Sequence, residues 1–84
     1  MTLATSEQLR AARALLRIEQ GQLAAAAGVH ANTVAKIEAS PGPISARMET
    51  VRRLQQALEA AGVEFLPDEG VRRRREQPAE ASAS

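Results

Sequence analysis

The sequence predicts a mainly α protein of four to five helices that ends in a short β-hairpin. Alanine, the best helix former, is dense from Ala11 to Ala61. Apolar residues recur at helical spacing in stretches separated by breakers at Gly28, at SPGP (residues 40–43) and at Gly62. Beyond Gly62 that period gives way to a short apolar run, a Pro/Gly turn and a second run, the pattern of two strands.

Each element follows from its own residues. Thr5 and Gln8 stand at capping-box spacing, so a first helix opens near Ser6, with Leu9, Ala12, Leu15 and Leu16 as its buried face. A second helix runs from about Gln20 to Ala27, preceded by the acidic Glu19, and Gly28 ends it in the left-handed conformation a tight turn needs. The third covers about Ala31 to Ala39 and is stopped by the two prolines and the glycine of residues 40–43. Ser45 is placed to cap a fourth, running to about Ala61 with Met48, Val51, Leu54 and Leu58 as its apolar stripe. GVEFL, PDEG and VRRRR then read as strand, turn and strand, and such a hairpin needs packing or a partner. The division expected is residues 5–62 as one helical domain, 63–75 as hairpin and 76–84 as a disordered tail.

Composition removes most classes of function. Eighty-four residues form one domain at most, with a modest core and no deep pocket. The absence of cysteine excludes disulfides, thiol nucleophiles and Cys-based zinc sites, and a lone histidine, His30, assembles no metal site. With no tyrosine and no phosphate loop either, no enzyme, cofactor or metal is expected. The apolar runs are too short for a membrane span, and MTLATSEQLR lacks the character of a signal peptide, so a cytoplasmic, nucleoid-associated address is expected. Net charge is +1, but without residues 76–84 the chain holds 11 basic against 8 acidic residues, a balance that permits a local basic surface.

Residues 19–38, EQGQLAAAAGVHANTVAKIE, carry the functional signal. They read as two short helices hinged at a glycine. Leu23, Ala24, Ala27, Val29, Val34 and Ile37 face inward, while Asn32, Thr33 and Lys36 stand on the outer face of the second. That is the helix-turn-helix, whose second helix lies in the major groove of DNA. Asn pairs with adenine, Lys with guanine, and the methyls of Ala or Thr meet a thymine methyl. The competing reading is an ordinary solvated helix face.

LRAAR (9–13), Gln20 followed by LA (23–24), AGV (27–29) and NTVAKIE (32–38) resemble the Cro/C1-type, or XRE-like, family of small phage and bacterial regulators. The resemblance spans residues 9–66 and implies a lambda-repressor-like helix-turn-helix domain. The fourth helix and GVEFLPDEGVRRR resemble a subgroup of very short bacterial members that end in a hairpin. Four positions depart from the family's habit. Glu19 and His30 stand where Ser or Thr usually caps, Ala31 replaces a long polar residue, and Ala39 with Ser40 replaces a glycine.

The resemblance implies the site residues. His30, Ala31, Asn32, Thr33 and Lys36 would meet bases or the groove edge; Arg17, Gln20, Ser40, Ser45 and Arg47 would meet phosphates. Arg13 and Glu38, which could be taken for an acid–base pair, would join helix one to helix three as a structural ion pair. A homodimer is expected, with Leu58, Val63, Phe65, Leu66 and Val71 at its interface. The leading reading is a homodimeric repressor that occludes an inverted-repeat operator on double-stranded DNA. The rivals are an antitoxin, which would also bind a protein partner and regulate its own operon, and a co-regulator bridging proteins. A toxin or an anti-repressor is the kind of partner protein in view.

Overall fold

The computed structural model describes residues 2–74, so the expected disorder of residues 76–84 lies outside the described residues, as does Arg75 at the end of the hairpin. Four helices appear in order: α1 (Ser6–Leu16), α2 (Gln20–Ala27), α3 (Ala31–Ala39) and α4 (Met48–Ala60). Strand β1 (Val63–Leu66), a 3-10 turn (Pro67–Glu69) and β2 (Gly70–Arg73) complete the chain.

The caps account for the helix starts. Thr5 Oγ1 accepts the Gln8 N–H at 3.1 Å, and Gln8 Oε1 accepts the N–H groups of Thr5 at 3.1 Å and Ala4 at 2.7 Å. Two otherwise orphaned donors are thereby satisfied by one buried amide. At α2 the Glu19 N–H donates to Gln22 Oε1 at 2.8 Å. Gly28 ends α2 at φ 73°, and the N–H of Val29 returns to the Ala24 carbonyl at 3.0 Å, so the chain turns sharply into α3.

The fourth helix departs from expectation at its start. It begins at Met48 with Arg47 in the capping position and no side-chain cap, so Ser45 lies two residues too early to cap it. The loop ahead of it is claimed by the N-terminus instead. The Ile44 N–H donates to the Ala4 carbonyl at 3.0 Å, the Ser6 N–H to the Gly42 carbonyl at 3.0 Å, and the Ser6 hydroxyl to the Ser40 carbonyl at 2.8 Å. These bonds hold residues 40–44 in a bent, non-helical path ahead of α4, with Gly42 at φ 93°.

Leu9, Leu23, Val34, Leu54 and Leu58 form the centre of the core, ringed by Ala12, Ala24, Ala27 and Ile37. Of the alanine run, Ala24 and Ala27 pack inward, whereas Ala25 and Ala26 are exposed. Met48, expected on the apolar stripe of α4, is 88% exposed.

The hairpin is antiparallel, pairing Val63 with Arg73, Glu64 with Arg72, Phe65 with Val71 and Leu66 with Gly70. Val63 and Phe65 alternate inward and are buried against the chain's own α1 and α4. Gln8 also bonds the hairpin, its Nε2 donating to the Gly70 carbonyl at 3.3 Å. The cover that a bare hairpin lacks is thus supplied within one chain. Leu58, Val63 and Phe65, expected at a subunit interface, are corrected to core residues, since a fully packed side chain has no surface to offer a second copy. Leu66 and Val71 are only half-buried.

Candidate nucleic-acid interface

Helix α3 is short and strictly two-sided. Val34, Ile37 and Glu38 are buried, while Ala31, Asn32, Ala35, Lys36 and Ala39 are exposed and Thr33 is half-buried. The outer face therefore carries two polar side chains on a floor of methyl groups. Ala35 and Ala39, which the motif reading left unassigned, belong to that floor; their exposed position in the helical period was the available signal. Small residues let a helix backbone approach base edges closely, and their methyls suit thymine.

The far end of α3 is held by a polar cluster. Arg13 of α1 grips Glu38 in bidentate fashion, Nε to Oε2 at 2.7 Å and Nη2 to Oε1 at 2.7 Å. Its Nη1 also donates to the Ile18 carbonyl at 2.9 Å. Gln20, at the first turn of α2, donates from Nε2 to Glu38 Oε1 at 2.9 Å. Burial alone would raise the Glu38 carboxyl, but the hydrogen bonds from Arg13 and Gln20 and the Arg13 charge outweigh it and hold it below the usual range. The same bond raises Arg13 further. The cluster joins α1, α2 and α3 through side-chain hydrogen bonds.

Gln20, expected to bind a phosphate, thus spends one N–H on this clasp and keeps a second N–H and its carbonyl oxygen. His30 occupies the capping position of α3, is exposed, and makes no side-chain cap bond. Arg17 sits at the left-handed end of α1, φ 58°, also exposed.

Beside the outer face of α3 lies an open cleft of about 480 Å³. It gathers Thr33 and Lys36 of α3, Ser40, Ser45 and Arg47 of the following loop, and Thr50 of α4. Hydroxyls and two cations converge there, the donor set that phosphate oxygens take. Thr50 is the member that sequence reasoning missed; nothing in a run of helix residues marks it until the loop folds beside it. Lys36 and Arg47 make no ion pair among the described residues.

Helices α2 and α3, joined by the sharp turn at Gly28, form a helix-turn-helix. The family model for this helix-turn-helix matches residues 9–65, and the chain belongs to that Cro/C1-type, XRE-like family. It is accordingly a DNA-binding transcriptional regulator. No curated protein matches the chain. Among the described residues, no helix is long and apolar enough to cross a membrane.

Proposed function

We propose that the protein is a homodimeric repressor that occludes an inverted-repeat operator. Helix α3 reads the major groove: Asn32 and Lys36 supply base contacts, Ala31 and Thr33 apolar ones, and His30 stands at the groove edge. Ser40, Ser45 and Arg47, joined by Thr50, take phosphates on one side, with Arg17 and the remaining donor of Gln20 on the other. These contacts position the helix without reading sequence. The observation that carries the reading is the exposed pair Asn32 and Lys36 on an otherwise alanine-floored face. One subunit offers few base contacts, so useful affinity requires two.

Selection of binding sites from random duplexes tests it. The expected outcome is a two-fold symmetric consensus with half-sites about one helical turn, roughly 34 Å, apart. Recovery of unrelated sequences, all bound with equal affinity, would overturn the proposal.

A further inference from the structure

A second hollow, of 570 Å³, lies on the other side of the residue 40–47 loop and is apolar in character. Leu3, Ile44, Met48 and Val51 line it, with Arg52 and Glu59 of α4 also on its wall. Met48 is the one large hydrophobic among the described residues that stands open to solvent. Such a side chain, unbranched and adaptable, suits a packed contact.

The loop sorts its residues between the two hollows. Ile44 and Met48 enter the apolar one, Ser45 and Arg47 the polar one, and Ala46 borders both. A body seated in the apolar groove therefore adjoins the surface proposed to meet DNA.

The charges on α4 select that body. Arg52 and Glu59 are seven residues apart, two helical turns, and so lie on the same face. Gln55 and Gln56, midway between them, line the same groove. A second α4 laid antiparallel about an axis between Gln55 and Gln56 sets Arg52 of each copy over Glu59 of the other. Arg52 already bonds Glu49 and Glu59 accepts from Gln55 Nε2 at 3.0 Å, but a guanidinium has five donors and a carboxylate several lone pairs, so both retain capacity. The face is complementary to itself, which is the requirement for a two-fold symmetric interface.

We infer that this face of α4, which carries the Arg52/Glu59 pair about its axis and Val51 and Met48 toward its end, is the homodimer interface, and that its occupant is a second copy of the chain. The inference rests on the dimeric reading above and moves the interface off the hairpin, whose inward apolar residues Val63 and Phe65 are already consumed by the core.

Sedimentation equilibrium of the full chain, free and on operator DNA, decides it. Met48→Glu alters an exposed side chain and is expected to leave the helical circular dichroism spectrum intact. It should raise the dimer dissociation constant about thirtyfold or more, the size of a hot-spot loss. Arg52→Glu and Glu59→Arg should each weaken the dimer, and the double swap should restore it, a result that only a symmetric Arg52-to-Glu59 contact produces. If Met48→Glu and the swaps leave the dimer intact while Val71→Glu dissociates it, the interface is the hairpin: the inference fails and the dimeric reading survives. A wild-type chain that is monomeric both free and on the operator overturns both, and gives the groove to a different protein.

Discussion

Helices α3 and α4 are both amphipathic and both carry cations, yet they dispose of charge in opposite ways. In α4, Arg52 and Arg53 both bond Glu49, the second at 2.9 Å, and with Glu59 the helix sets two anions against its two cations. Hydrogen bonds from those two arginines hold the Glu49 carboxyl below its usual range. In α3 the single acid, Glu38, is turned inward and clasped by Arg13, while Lys36 faces solvent with no ion pair among the described residues. One helix neutralises itself; the other buries its anion and presents its cation. The net charge of +1 conceals this sorting. A polyanion responds to the local field, so a nearly neutral protein can still offer it a positive face.

The contrast between the helices can be broken from its foundation outward. Leu23→Ala or Ile37→Ala should cost about 2–5 kcal/mol, because each removes a side chain on which α3 is mounted; thermal melts check it, and no loss would place these residues outside the core. Arg13→Met should cost about 3 kcal/mol at neutral pH by leaving the Glu38 carboxylate buried with only Gln20. Glu38 is held below its ordinary value of about 4.3 in the fold, so its contribution is complete above that value and is lost as pH falls below it. Urea unfolding should therefore show the gap between wild type and Arg13→Met closing as pH falls below about 4. A gap constant with pH would mean that the clasp acts through packing rather than charge.

Smaller effects fall on binding. Asn32→Ala or Lys36→Ala should cost about 1–3 kcal/mol on the operator and relax preference at one position, with melting unchanged. Arg47→Ala should weaken binding to all duplexes alike and reduce the salt slope by about one, which titrations at several salt concentrations read directly. Glu49→Gln should leave thermal stability unchanged, since exposed pairs contribute little, and should strengthen non-specific binding by releasing Arg52 and Arg53. Equal losses of affinity from Lys36→Ala and Arg53→Ala would erase the distinction between the two helices.

Most of the helical body was legible in the sequence because its signals are local. Thr5 with Gln8, Gly28 and the residue 40–43 breakers fix helix ends within a few residues of themselves, and α1 to α3 fall where they predict. Pairing of Arg13 with Glu38 is implied by family resemblance rather than by any local pattern, and the two side chains lie 2.7 Å apart. The misses all involve distance along the chain. Ser45 is a sound cap by residue type, but its loop is bonded to Ala4 and Ser6. The alternation of Val63 and Phe65 says that one face of a strand is buried without saying against what, and α1 and α4 answer where a second subunit was expected. Gln20 bonds a carboxylate eighteen positions away that no local pattern couples to it.

Gln8 ties the first turn of α1 to the Gly70 carbonyl, 62 positions later. A ribosome releases the chain from its N-terminus, so Gln8 emerges long before the partner that completes its bonding. The loop next to α3 is in the opposite position, since the segment that holds residues 40–44 is already made when they emerge. A fragment stopped after α3 contains every letter of the recognition motif but lacks the tie to the hairpin and the core side chains Leu54, Leu58, Val63 and Phe65, so it is expected not to fold into a miniature regulator that competes for the same sites.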